Sequence, residues 1–120
     1  MSRQKKNNGP SSKDVYQERI RNELNLILRR EVSDPRLTLA SITKVELNQD
    51  FSMAKVYWDT FDASARGDVK KAFEGVDGRF RTLLAKNVKF RHTPALTFIY
   101  DSQYEDEMKI TKLLNEEQDR

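Results

Sequence analysis

Apolar residues first fall into a helical rhythm at Ile20, Leu24, Ile27 and Leu28, which recur every three or four positions and so share one face. Ser12 or Asp14 is placed to cap such a helix. Ser33-Asp34-Pro35 ends it, because Pro35 lacks an amide proton and disfavours helical geometry at Asp34. Leu26 lies off the stripe and is expected at the surface. From Leu37 to Leu47 the rhythm becomes alternation, with a phase slip between Leu39 and Ile42 that predicts a bulge. Asn48-Gln49-Asp50 reads as a turn, and Met53 to Phe61 as the partner strand of an antiparallel hairpin. Ala54, Val56 and Trp58 point to one side of it, and Lys55, Tyr57 and Asp59 to the other.

Between Ala65 and Asn87 the helical rhythm returns. Val69, Ala72, Phe73, Val76, Phe80, Leu83 and Leu84 stay within about 60° of one line when each residue advances 100°. The stripe continues across Gly78. That predicts two helical pieces sharing a buried face and meeting at a bend, with Gly75 and Gly78 weakening the helix there. Pro94 precedes a third strand, Ala95 to Tyr100, and Ser102-Gln103-Tyr104-Glu105 is a capping-box pattern opening a last helix in which Glu105 and Lys109 are one turn apart. The order predicts an α+β fold, a three-stranded sheet with helices on one face. Residues 1–13 are polar and basic without periodicity and are expected to form a disordered arm. Residues 14–115 form the domain, and 116–120 a disordered acidic tail.

The 120 residues suit one domain, and no run approaches the eighteen apolar positions of a membrane span. The opening residues meet no apolar block, so a secreted chain is not expected, and the absence of cysteine suits a reducing, cytoplasmic setting. Without cysteine, and with His92 the one histidine, no metal site or cofactor is expected. The net charge of +3 hides an asymmetry: residues 1–100 carry 19 basic and 12 acidic side chains, residues 101–120 carry 3 and 7. A basic body suits a polyanionic partner, although a basic surface also serves simply to keep a chain dispersed.

The charge is most concentrated between Arg79 and Arg91, where Arg79, Arg81, Lys86, Lys89 and Arg91 occur with no acid among them. Arg79 and Lys86 are two turns apart on one flank of the stripe, about 10 Å along the axis, and such cations can follow a phosphate backbone. The helix expected after Gly78 adds free N–H groups at its start. Arg29, Arg30, Arg36 and Lys44 form a second cluster around Pro35, in which Arg29 and Arg30 are expected to favour the negative end of the first helix. Gly75-Val76-Asp77-Gly78 matches the Gly-x-x-Gly phosphate clamp, but it also reads as a plain bend, and Asp77 at its tip would repel a phosphate. Tyr57, Phe61 and Tyr104 are candidates for base stacking or for covering edges, whereas Trp58 belongs to the core. His92 beside Arg91 is expected at the surface, and Asp59 and Asp62 are expected to cap a strand end. With no phosphate loop and no nucleophile elbow, an enzyme is not expected.

Three segments resemble the ribosome-binding factor A family. They are Leu26-Ile27-Leu28-Arg29-Arg30-Glu31-Val32-Ser33-Asp34-Pro35-Arg36-Leu37, then Met53-Ala54-Lys55-Val56-Tyr57, then Arg91-His92-Thr93-Pro94-Ala95-Leu96-Thr97-Phe98-Ile99-Tyr100-Asp101. The similarity covers roughly residues 15–114. It implies a KH-like fold of the second type, in which an Ala-x-Gly kink replaces the Gly-x-x-Gly loop. Val76-Asp77-Gly78 stands at that position here, with Val for Ala. It also implies binding to 16S rRNA in the free 30S subunit near the 5′ terminal helix and the neck, a part in 16S rRNA processing, and growth at low temperature. A monomer that contacts rRNA through Arg79, Arg81, Lys86, Lys89 and Arg91, with Arg36 and Lys44 as a second patch, is the expectation. The rival is an adaptor whose acidic last helix, with Asp106, Glu107, Glu116 and Glu117, docks on a basic ribosomal protein.

Overall fold

The structure, a computed structural model, describes residues 11–89 and 91–118. Helix α1 spans Ser12–Arg30. Its cap is Ser11, one residue ahead of Ser12 and three ahead of Asp14, the expected positions. The Ser11 hydroxyl accepts from the Asp14 amide at 3.1 Å, and the Asp14 carboxylate accepts from the Ser11 amide. Ser12 and Lys13, assigned to the arm from sequence, are therefore helical, and residues 1–10 of that arm lie outside the described residues. Ile20, Leu24, Ile27 and Leu28 are all buried, and Leu26 is exposed. Beyond the helix, the Asp34 carboxylate accepts from the Arg36 amide and starts a 3₁₀ turn at Pro35–Leu37. That turn drops Leu37 into the core, so the strand expected from Leu37 begins only at Ala40.

Strands β1 (Ala40–Leu47) and β2 (Met53–Thr60) pair antiparallel, with Val45 opposite Val56. The register shifts between Ile42 and Lys44, so the bulge falls at Thr43; the earlier slip in the pattern comes from Leu39, which is exposed outside the strand. Strand β3 (Ala95–Tyr100) runs parallel to β2 on its other side, giving a mixed sheet in the order β1-β2-β3. Ile42, Val45, Leu47, Ala54, Val56, Trp58, Leu96 and Phe98 are buried on the face that meets the helices.

The outer edge of β1 has backbone groups with no strand to pair with, and α1 supplies side chains in place of one. Gln17 accepts from the Leu47 amide at 2.9 Å. Asn25 accepts from the Ile42 amide and donates to the Ile42 carbonyl, both at 2.9 Å. The Arg29 guanidinium donates to the Thr38 and Ala40 carbonyls. Exposed edges invite pairing with other chains, and this one is closed by a row of polar side chains along one helix flank.

Helices α2 (Arg66–Gly75) and α3 (Asp77–Asn87) meet at Val76, whose φ of −106° and ψ of 10° break the helical run. Val69, Ala72, Phe73, Phe80 and Leu84 are buried, and Val76 and Leu83 are packed at the margin. Positions 73 and 80 would lie about 10 Å apart along a straight helix. Here their rings sit 6.1 Å apart, and both pack on Phe98, at 5.1 and 5.8 Å. The bend thus keeps both rings on one strand. Neither Gly75 nor Gly78 has a positive φ, and a Cβ at either would meet nothing within 4 Å, so the bend imposes no left-handed or steric demand for glycine at these positions.

Helix α4 (Gln103–Gln118) follows β3, so residues 116–118 of the expected tail are helical. Asp101 accepts from the Gln103 amide, and the Ser102 hydroxyl donates to Asp106. The Glu105 side chain of the expected capping box lies outside the described residues. Met108, Ile110, Leu113 and Leu114 are exposed on this helix.

Candidate nucleic-acid interface

Three contacts set α3 against α1. Arg79 Nε donates to the Glu31 carbonyl at 3.1 Å, Asn87 Nδ2 donates to the Glu23 carboxylate at 2.8 Å, and the Tyr16 hydroxyl donates to the Lys89 carbonyl at 2.9 Å. As α3 advances its partners on α1 recede, so the two helices are antiparallel and the basic segment runs along most of α1. Arg79 is partly committed to this packing, its guanidinium also lying 3.8 Å from the Glu31 carboxylate. Arg81, Lys86, Lys89 and Arg91 are exposed, and among the described residues no ion pair holds them.

The bend carries different chemistry. Helix α3 starts at Asp77 rather than after Gly78, and a carboxylate in its first turn already answers the positive helix end. One Asp77 oxygen is buried without a hydrogen-bond partner among the described residues, and Val76 and Asp77 are half-buried while Gly78 is exposed. A phosphate approaching the bend meets this acid.

Arg36 and Lys44 occupy different surfaces. Arg36 faces the helical side, within electrostatic reach of Asp68, and clasps Asp34 at 3.1 and 2.7 Å. That side-chain bond, with the Arg36 amide, holds the Asp34 carboxyl below its ordinary range. Lys44 lies on the sheet face turned away from the helices, 3.3 Å from Glu46 and 4.6 Å above the Tyr57 ring. Arg29 and Arg30 stand in the last turn of α1, as expected, and Arg29 also ties α1 to the start of β1.

Among the aromatic candidates, Tyr57 is half-buried and donates to Glu46 at 3.1 Å; burial and that carboxylate push its hydroxyl pKa up. Phe61 is 88% exposed, and the Tyr104 side chain lies outside the described residues. Trp58 is in the core, 5.3 Å from Phe73 and 5.1 Å from Tyr100. His92 is exposed. Asp62 caps a 3₁₀ turn by accepting from Ser64, and Asp59 accepts from Ser41. The hydroxyls of Ser64 and Ser52 hold the carboxyls of Asp62 and Asp50 below the usual range, as local capping does.

Sequence reasoning passed over Tyr16 and Phe51. Their rings stack at 5.6 Å beside Arg91 and His92, and Phe51 has a φ of 62°. A large residue at the turn position where glycine or asparagine is usual was the available signal.

A mixed sheet under a kinked helix pair, with cations gathered along the second helix, defines a KH-like α+β protein. Its family follows from comparison with known proteins. The model of the ribosome-binding factor A family matches residues 12–114, and the chain belongs to that family. It is 41% identical over 100 residues to ribosome-binding factor A of Heliobacterium modesticaldum, covering 82% of this chain and 83% of that protein. To the Francisella philomiragia protein of the same name it is 39% identical over 87 residues, 72% of this chain and 61% of the relative's length. The crystal structure of ribosome-binding factor A from Thermus thermophilus superposes with a TM-score of 0.69 at 26% identity, covering 75% of this chain and 97% of that one. A homology model of the Thermus thermophilus factor, fitted into a cryo-electron-microscopy map of its 30S complex, gives a TM-score of 0.62 at 26% identity over 76% and 97%.

Proposed function

We propose that this chain binds the free 30S subunit through 16S rRNA and assists late maturation and processing of that RNA near its 5′ terminal helix. It acts without catalysis, as a cytoplasmic monomer, and supports growth at low temperature. The observation that carries this reading is the acid-free run in which Arg81, Lys86, Lys89 and Arg91 stand exposed along α3 and beyond, held by no ion pair among the described residues. Four unneutralised cations beside a second helix are suited to displacing counterions from an RNA backbone. Arg79 contributes from the α1 side, and Arg36 and Lys44 contribute less because each is already paired. The fitted Thermus thermophilus relative supports the 30S partner.

The test is the salt dependence of binding to 30S subunits. Replacing Arg81, Lys86 and Lys89 with alanine should weaken binding and flatten the slope by about 0.7 to 0.9 per lost phosphate contact. An unchanged slope discards the assignment. A second reading is favoured by α4, where exposed Ile110, Leu113 and Leu114 accompany Asp106, Glu107 and Glu116, a surface suited to a basic ribosomal protein. Binding to naked 16S rRNA fragments separates the two, because only the first reading requires it.

A further inference from the structure

Tyr16, Gln49, Asp50, Phe51, Arg91 and His92 line a cleft of about 410 Å³ at the start of α1. Its floor is the Tyr16–Phe51 stack, with the ring planes 27° apart. Phe51 is the non-glycine residue held at positive φ among the described residues, and the turn around it is over-determined. Its amide donates to the Asn48 carbonyl, Met53 donates to the Asn48 side chain, and Ser52 donates to Asp50. Strain of this kind on a bulky side chain marks a position where the ring is wanted despite the backbone it requires. The Tyr16 hydroxyl, bonded to the Lys89 carbonyl, fastens the end of the cationic run to this aromatic floor, and Arg91 stands at the rim.

We infer that this cleft takes one unpaired base of the bound RNA, stacked on the Phe51–Tyr16 floor with Arg91 against its phosphate. Proteins that hold single strands combine these parts, an aromatic face for the base and a cation for the backbone. Asp50 is engaged through one carboxylate oxygen by the Ser52 amide and hydroxyl, and with Gln49 it supplies acceptors for an exocyclic amine such as that of adenine. Arg91, next to an aromatic platform, favours a nucleotide over an uncharged apolar segment of protein. The inference rests on the RNA reading above and adds to it a single-stranded contact that the phosphate-following cations do not require.

The test compares the full chain with Phe51→Asn, Phe51→Leu and Phe51→Tyr for binding of fluorescein-labelled oligoadenylate and of an RNA duplex of the same length. Asparagine suits the positive φ, so Phe51→Asn should fold, and Phe51→Leu keeps apolar packing on Tyr16 if it does not. Loss of one base stack corresponds to about 5- to 150-fold weaker oligoadenylate binding. That loss is expected for Asn and Leu, with duplex affinity and salt slope unchanged, and Phe51→Tyr should bind as the parent does. Unchanged oligoadenylate binding by the Asn and Leu variants overturns the cleft, as does an equal loss on duplex. A parent chain that binds 30S subunits but no oligoadenylate also overturns the cleft while leaving the RNA reading intact. A parent that binds neither subunits nor either RNA removes the reading beneath it.

Discussion

Glu31 is the acid that pairs with Arg79 on the cationic flank, and Glu31→Gln tests whether Arg79 belongs to the interface. The carboxylate lies 3.8 Å from the guanidinium, with the two side chains 48% and 56% exposed. At that distance two charges in a water-like medium attract by about 1 kcal/mol. Salt and exposure reduce this toward the lower part of the roughly 0.2–1 kcal/mol found for exposed pairs. The amide replacement leaves the backbone carbonyl bond to Arg79 Nε at 3.1 Å, so the guanidinium stays where it is. Stability should therefore fall by less than about 1 kcal/mol in urea titration. Affinity for 30S subunits, read by fluorescence titration at fixed ionic strength, should rise about 2- to 5-fold because the freed attraction goes to phosphate. Glu18→Gln is the control, since Glu18 pairs with Arg21 on α1 and removes the same net charge. Equal gains for both variants, or none for Glu31→Gln, would show that Arg79 does not face the RNA.

Asn25→Ala should cost about 2–4 kcal/mol in denaturant unfolding, because it deletes two hydrogen bonds and leaves the Ile42 amide and carbonyl unpaired at a buried residue. Gly75→Ala and Gly78→Ala should each stabilise by about 0.4–1 kcal/mol, since neither position has a positive φ and both have open space for a methyl group; a loss of stability by either would show that the bend requires that glycine. Asp34, Asp50 and Asp62 have carboxyls held low by Arg36, Ser52 and Ser64. Their contribution is present above the unfolded carboxyl pKa of about 4 and is lost as pH falls through the lower folded values. The unfolding temperature should drop on that acid limb, and replacing all three with asparagine should make the drop shallower in calorimetry.

The elements that bury a stripe were legible because burial imposes a period. Ile20 to Leu28, the hairpin and the bent pair from Val69 to Leu84 all stand where the pattern places them. Leu37 misled because an apolar residue in a capped 3₁₀ turn is as buried as one in a strand, and periodicity does not distinguish them. The parallel course of β3 goes with the helical crossover through α2 and α3, whereas the packing of Phe73 and Phe80 on Phe98 is a tertiary fact with no local signature. At the candidate site the acid-free run from Arg79 to Arg91 was visible, but the division of labour within it was not. Only the fold brings Glu31 to Arg79 and Tyr16 to Phe51. Gln17 and Asn25 have no signal in the sequence, because only the fold lays β1 beside them.

The parallel strand has a consequence for how the chain reaches this state during synthesis. α1 and the β1–β2 hairpin are contiguous and can assemble early, because their closure spans little chain. β3 is delivered last, and until it docks, Phe73 and Phe80 have no Phe98 to pack against and β2 keeps one row of amides and carbonyls unpaired. A nascent chain halted before Ala95 should therefore be sticky and susceptible to protease, and emergence of residues 95–100 is the event that turns an assembling intermediate into a finished domain.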